Sequence, residues 1–330
     1  MLNVLREYEV QTYHDVCIIL TSDIERLLKG LDKEELLEIA NLNRIIIPDS
    51  WSNQLIVELL SLNVRFDDVQ KKMTPFKSGK ISNVVPIIVI KDLLKRFEGV
   101  TAVDNLNLEI GEGELFSLLG PNGAGKTTIV NILTGIIQPT KGSATMDGFD
   151  VTKNVANVKR IIGVCPQDAA VFSFLNAREN IELFGNLHSL SKMDLEKRTD
   201  RLLELLGLTE ASRRRAGGYS GGMLRKLNLI MALINDPKIA FLDEPTVGMD
   251  ARARRKTWEF IGSLRNEKRT IILTTHYIEE AEALSDRVGI IDCGKLIELG
   301  TPNELMERYE AKNLEEVFLN ITGRRILEGI

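Results

Sequence analysis

Apolar and polar positions follow two different rhythms along this 330-residue chain, and the change falls near residue 87. Up to about residue 70 the rhythm is helical. "DKEELLEIANLN" starts with Asp32, a candidate N-cap, and Glu35 stands at capping-box spacing. Leu36, Leu37, Ile39 and Ala40 follow with helical periodicity. "SNQLIVELLSLNV" repeats the pattern behind Ser52, and Pro48 in the intervening "IIIPDS" blocks helix continuation. A small, mostly helical domain is therefore expected over 1–70. The polar, Pro- and Gly-broken "KKMTPFKSGKISNVVP" is expected to be a linker over 71–86.

From Ile87 onward the runs "IIVI", "LFSLL", "IIGVC", "IAFL", "TIILT" and "VGIID" recur between polar or amphipathic segments. Short β-rich runs of this kind, buried on both faces and interleaved with helices, indicate a largely parallel α/β sheet. One stretch departs from the rhythm. From about Asp168 to Lys226 the chain reads as helices without a clear strand, as in "LEKRTDRLLELLGL". The expected architecture is an α/β domain over 87–330, with a helical subdomain inserted at about 168–226 and a tail at about 301–330.

Composition narrows the partners. A 44% hydrophobic content leaves enough apolar mass for a full core, and a net charge of −5 argues against a protein that coats nucleic acid. The three cysteines, Cys17, Cys165 and Cys293, are widely spaced and form no C-x-x-C pair, so reduced thiols in a cytosolic setting are expected. "MLNVLREYEV" lacks the apolar run of a secretory signal, and no apolar stretch reaches the ~20 residues that span a bilayer. The chain is expected to sit against a membrane at most.

The sharpest chemistry is in "LFSLLGPNGAGKTTIVNILTG", which reads strand, loop, helix and matches G-x-x-x-x-G-K-[ST]. Gly120, Gly123 and Gly125 let successive backbone N–H groups fold around a phosphate. Lys126 can reach the β and γ phosphates, and Thr127 offers a hydroxyl to Mg²⁺. Pro121, Asn122, Ala124 and Thr128 complete the expected nucleotide loop. "KIAFLDEPT" is an apolar strand ending in two acids. Asp243 at its edge is placed to hold the Mg²⁺ shell, and Glu244 is a candidate general base for an attacking water.

Other residues say little one at a time. Gln167 closes "IIGVCPQ" as a loop glutamine, and His276 follows "TIILTT", where a histidine could donate to a γ-phosphate oxygen. Phe97 in "KRFEGV" could be core or could stack on a purine. Ser220 in "YSGGMLRKLNLIMALI" reads first as an N-cap, yet with Gly221 and Gly222 behind it the helix start has the character of a second anion cradle.

The order of these pieces carries a resemblance. Phosphate loop, glutamine, Ser-Gly-Gly helix start, strand with Asp-Glu, then histidine is similar to the ATP-binding cassette (ABC) ATPases, from about Ile87 to the end. The spacing from Lys126 to Asp243 suits a cassette with a helical insert and is far too short for the coiled-coil arms of chromosome-maintenance relatives. "NARENIELFGNLHSLS", "YSGGMLRKLNL", "DEPTVGMD" and "NLEEVFLNITGRR" resemble the drug- and lipid-export branch of these ATPases. The signature reads Tyr-Ser-Gly-Gly-Met where Leu-Ser-Gly-Gly-Gln is commoner, which is similar to that branch's own usage. Phe97 stands where tyrosine is more frequent.

The resemblance implies a P-loop NTPase fold of ABC type, with a mixed-sheet core, and an ATPase that uses ATP and Mg²⁺ to drive transport. It assigns adenine stacking to Phe97, catalytic roles to Glu244, His276 and Gln167, and to Gln167 also a Mg²⁺ contact and signalling to a membrane subunit. Asp250 would couple two sites across a dimer. Ser220, Gly221 and Gly222 would cover the phosphate held by Lys126 of a second cassette, which implies a homodimer or pairing with a different cassette in the ATP state. A separate transmembrane permease subunit would be the other partner, and the expected location is cytoplasmic, peripheral on the inner face of the cell membrane.

The rival expectation is a soluble cassette ATPase acting on ribosomes or nucleic acid. "LDKEELLEIANLNRIIIPDSWSNQLIVELLSL" resembles the helix–extended–helix SAP-type modules, some of which bind DNA. Residues 1–80 hold ten basic against thirteen acidic side chains, which disfavours phosphate-backbone binding. A regulatory or docking role and a dimerisation arm both stay open for this region.

Overall fold

The computed structural model describes residues 86–323 apart from Ala169 and Lys268. The expected helical domain over 1–70, and all but the last residue of the expected linker over 71–86, lie outside the described residues.

Two sheets build the described part. The first holds β1 (Pro86–Phe97), β2 (Val100–Gly111), β4 (Lys141–Met146) and β5 (Phe149–Asp150), in the order β2-β1-β4-β5 and antiparallel throughout. The second holds β3 (Leu115–Leu119), β6 (Ile162–Cys165), β7 (Ile239–Asp243), β8 (Thr270–Thr275), β9 (Arg287–Asp292) and β10 (Lys295–Gly300), in the order β10-β9-β3-β8-β7-β6. Every pair in it is parallel except β9–β10.

The strands obey the burial rule that the sequence suggested, with one correction. β3 and β7 are buried at every position, as unbroken apolar runs should be when both faces are covered. "IIVI" belongs to β1 of the antiparallel sheet and not to the parallel core. Its partner β2, "VTAVDNLNLEIG", buries Leu106, Leu108 and Ile110 and exposes the residues between, the period-2 pattern of a sheet covered on one face.

Helix α1 (Lys126–Leu133) follows β3 and packs between the sheets. Ile129 and Ile132 join a core with Ile88 and Leu108 from the first sheet and Phe116 and Phe241 from the second. After α2 (Val155–Ile161) and β6, the chain runs through α3 (Ala177–Leu187), α4 (Lys192–Leu205), a short 3₁₀ turn (Ala216–Gly218) and α5 (Gly221–Leu233) before β7. This all-helical excursion packs with α6 (Ala251–Ser263) on the other face of the parallel sheet, through residues such as Ile230, Phe260 and Leu273. α7 (Ile278–Leu284), α8 (Pro302–Arg308) and α9 (Leu314–Thr322) close a third cluster, in which Phe318 and Val317 meet Ala281 and Ile290.

Cys165 is a free, buried thiol, pushed up to about 12 by desolvation.

The feature that positions chemistry is the alignment of strand ends. Leu119 of β3 pairs with Thr275 of β8, Asp243 of β7 with Thr274, and Cys165 of β6 with Leu242. Four neighbouring parallel strands therefore finish at one level, and the segments beginning at Gly120, Pro166, Glu244 and His276 leave that edge together. The carboxyl edge of a parallel sheet is where open α/β folds bind ligands.

Candidate functional site

At both ends, Gly120 and Gly125, the loop is held by backbone packing that leaves no room for a Cβ. A Cβ on Gly125 would lie 2.3 Å from the Ala102 carbonyl oxygen, and its φ of +103° is one that only glycine adopts readily. A Cβ on Gly120 would meet the Ile291 carbonyl oxygen at 2.1 Å. These contacts seat the loop against β2 and β9 and aim α1 at the strand edge.

α1 begins at Lys126 with no side-chain cap and no acid in its first turn. By contrast, Ser220 caps α5 and Asp250 caps α6. An uncapped helix start leaves N–H groups and the positive dipole end for an anion. Lys126, 5% exposed, folds back so that Nζ donates to the carbonyls of Gly120 at 2.7 Å and Pro121 at 3.0 Å, with Oε1 of Glu244 at 3.9 Å. Burial pushes its ammonium below the ordinary lysine value, and the charges of Glu244 and Asp243 offset this only in part. A buried cation held chiefly by carbonyls fits a phosphate.

Across from it, the Thr127 hydroxyl donates to Oδ2 of Asp243 at 3.0 Å, and the Thr274 hydroxyl donates to Oδ1. A hydroxyl and a carboxylate side by side are hard oxygen donors that suit Mg²⁺, which keeps waters and substrate oxygens for its remaining positions. Among the described residues no cluster of three or more His, Cys, Asp or Glu could hold a metal alone.

Glu244 leaves β7 with φ +50°, a left-handed conformation that costs a non-glycine residue about 1–2 kcal/mol. Its N–H donates to the Thr274 carbonyl at 3.0 Å, which fixes this kink and turns the side chain away from that of Asp243. Oε1 lies 2.9 Å from Nδ1 of His276, and Oε2 accepts from Nε2 of Gln167 at 3.1 Å. The two neighbouring carboxyls are driven apart. Burial pushes Asp243 up, against the pull of its two threonine hydrogen bonds. Burial acts the same way on Glu244, but the His276 hydrogen bond and the charges of His276 and Lys126 outweigh it and bring the net below the ordinary value.

The remaining expected residues are placed as follows. Gln167 contacts Glu244, not the Thr127–Asp243 pair. Phe97 ends β1 with its ring 47% exposed and Nζ of Lys95 at 4.7 Å from the ring centre. Ser220, Gly221 and Asp250 are exposed, and Ser220 and Asp250 cap their own helices by accepting from Met223 N–H at 3.3 Å and Ala253 N–H at 2.9 Å. Among the described residues no hydrogen bond joins the Ser220–Gly222 segment to the loop over 120–128.

Two residues of this region had not been singled out. Asn228 of α5 is buried; its amide donates to the Pro166 carbonyl at 3.0 Å and its Oδ1 accepts from Ala170 N–H at 3.3 Å. Arg225, one turn earlier, donates to the Gln167 carbonyl. Together they tie the loop carrying Gln167 to the helix that starts at Ser220. The signal was a lone asparagine inside "LNLIMALI", an apolar face where a polar residue needs a partner.

The family model described as ABC transporter matches residues 103–247. The doxorubicin resistance ATP-binding protein DrrA of Mycobacterium tuberculosis (strain ATCC 25618 / H37Rv) is 46% identical over 209 residues, which cover 63% of each chain. The daunorubicin resistance ATP-binding protein DrrA3 of Streptomyces coeruleorubidus is 41% identical over 66% of this chain and 69% of its own. The linearmycin resistance ATP-binding protein LnrL of Bacillus subtilis (strain 168) is 38% identical over 71% of this chain and 74% of its own. The chain thus spans 63% of the length of the DrrA relative. Among solved structures, the dimeric, post-hydrolysis ATP-binding cassette MJ0796 bound to ADP and Pi superposes with a TM-score of 0.61 at 26% identity, covering 65% of this chain and 98% of that one. An ATP-binding subunit of an ABC transporter shares the fold with a TM-score of 0.66 at 24% identity, over 72% of this chain and 99% of that one. Among the described residues no helix is long and apolar enough to cross a membrane.

Proposed function

The chain belongs to the ABC transporter family, and from that premise we propose that it is the ATP-binding and ATP-hydrolysing subunit of an exporter. The observation that carries this reading is the meeting at one sheet edge of two contact groups, Thr127 with Asp243, and Lys126 and His276 with Glu244. Phosphoryl transfer asks a protein mainly for positioning and charge stabilisation, and this set supplies both. A bound Mg²⁺–ATP supplies the phosphoryl group to be cleaved and the metal charge that offsets its oxygens.

In this reading Lys126 and the free N–H groups of α1 hold the β and γ phosphates, and the ring of Phe97 stacks on adenine. Thr127 and Asp243 would hold the metal's shell, and the amide oxygen of Gln167, whose Nε2 donates to Oε2 of Glu244, would be a further donor to it. Glu244 then orients and deprotonates water. Turning Lys126 from Glu244 to phosphate removes a positive neighbour from that carboxylate and makes it a stronger base. His276 uses Nδ1 toward Glu244, and Nε2 is left for a phosphate oxygen.

Ser220, Gly221, Gly222 and Asp250 have no role at their own chain's loop in this scheme. They serve the nucleotide of a second cassette, in a head-to-tail pair of identical or related chains. The exposed, edge-to-face pair Phe172 and Phe174, 5.9 Å apart and just beyond Gln167, offers an apolar surface for a separate transmembrane permease. The chain would then lie on the inner face of the cell membrane, exporting a compound of the drug or lipid class.

Purified wild-type protein is expected to hydrolyse MgATP. Glu244→Gln is expected to keep ATP binding while turnover falls on the order of a hundredfold or more, as for loss of a general base. An unchanged turnover removes Glu244 from this role.

A further inference from the structure

Glu280 is the third residue of α7 and is fully buried. A glutamate at that helix position commonly turns back to the helix start. Here it turns inward, and one oxygen, Oε1, accepts from the Thr246 hydroxyl at 2.8 Å and from Nε1 of Trp258 at 2.8 Å. Thr246 lies in the turn between Glu244 and Asp250, where its carbonyl accepts from Met249 N–H at 3.2 Å. Trp258 belongs to α6, the helix that Asp250 caps.

A second set of contacts leads from Arg254 of α6 to the histidine. The hydroxyl of Thr275 and the charge of Arg254 both favour the ionised Glu280, against a larger penalty from burial. The Arg254 guanidinium lies over the Tyr277 ring at 4.4 Å, and that ring is tilted against the His276 ring with centres 4.3 Å apart. Tyr277 N–H also donates to the Thr275 hydroxyl at 2.9 Å. One buried side chain, on the helix that begins two residues after His276, thus binds the turn after Glu244 and the helix after Asp250 through Oε1, while its Oε2 is buried with no hydrogen-bond partner among the described residues.

We propose that Glu280 is a positioning residue for the hydrolysis described above: by pairing with Thr246 and Trp258 it clamps the His276 segment to the Glu244–Asp250 turn. The inference rests on that functional reading. Its chemistry is specific. The contact between Nδ1 of His276 and Oε1 of Glu244 joins two segments that leave different strands, so their register needs a tie besides the sheet. Glu280 provides it on the buried side, and it reaches neither the nucleotide loop nor the exposed residues at 220–222. Loss of the clamp should therefore slow chemistry and leave ATP affinity nearly intact.

Glutamine at 280 keeps an acceptor oxygen for both donors, whereas alanine leaves the indole N–H and the Thr246 hydroxyl buried without it. The expected result for Glu280→Ala is a kcat lower by about tenfold or more with KM for MgATP within about twofold, and Glu280→Gln recovers most of the loss. The chain has three histidines, so imidazole resonances of nucleotide-free protein give a readout besides activity. The His276 signal is expected to shift in Glu280→Ala and to return in Glu280→Gln, with His14 and His188 unmoved. Should Glu280→Ala fail to fold, Trp258→Phe removes one donor and should show the same pattern more weakly. Wild-type kcat and an unmoved His276 signal would overturn the proposal. So would equal losses in the Ala and Gln variants, or a loss confined to KM or thermal stability. If wild-type protein does not hydrolyse ATP, the functional reading fails, while the His276 signal still tests the clamp.

Discussion

Oε1 of Glu244 and Nδ1 of His276 lie 2.9 Å apart, both nearly excluded from solvent. The two residues leave neighbouring parallel strands, and Glu244 reaches the contact only because its backbone takes up a left-handed conformation. Strain of this kind persists where the surroundings over-determine it, and such places cluster at working sites.

His276→Ala removes the ring that both holds Glu244 and faces the phosphate edge. Turnover of MgATP is expected to fall on the order of a hundredfold, the scale seen when one preorganised donor is lost. ATP affinity should change little, because Lys126 and the α1 start are intact. Steady-state kinetics together with equilibrium nucleotide binding separate the two quantities.

The adjacent acids should respond to pH with opposite signs. The folded-state value of Asp243 is raised above 3.8, so its contribution to stability is present below about that pH and is lost as pH rises through the folded value. The folded-state value of Glu244 is lowered below 4.5, so its contribution is present above that pH and is lost as pH falls through the folded value. Near pH 7 the nucleotide-free Asp243→Asn variant is therefore expected to melt above wild type, and Glu244→Gln below it. Both differences should shrink as the pH is lowered toward the range where the carboxyls are protonated. Thermal melts at several pH values check this, and both variants should hydrolyse MgATP poorly.

Much of this site could be read from the chain before folding. Gly120 to Thr128, Asp243 and Glu244 stand in strand-bounded motifs whose chemistry is local, so spacing alone brings them to one edge of a parallel sheet. The helical excursion between β6 and β7 was legible too, from its lack of β-rich runs. Less legible were contacts made across the fold. That Gln167 binds Glu244, that Thr274 braces Asp243, or that Glu280 turns inward depends on which strands become neighbours, and no local pattern encodes that. The antiparallel sheet was also hard to foresee. "IIVI" reads as a core strand from composition, and only its pairing with the alternating "NLNLEI" of β2 shows a sheet with one covered face.

A head-to-tail pair predicts complementation between two dead chains. Lys126→Ala should abolish nucleotide use at its own loop. Ser220→Glu, at an exposed position, should fold normally yet set a negative charge against the phosphate of its partner chain. Each variant alone is expected to be inactive. Mixed together, they form pairs with one intact composite site, and ATPase activity should return. Independent single-chain sites would give no recovery.

In a pair of identical chains the nucleotide is held between two copies of this cassette, and molar mass measures that most directly. Light scattering of the Glu244→Gln variant should read 37.0 kDa without nucleotide and close to twice that value when saturated with MgATP. A mass that stays at 37.0 kDa with ATP demonstrably bound would contradict it.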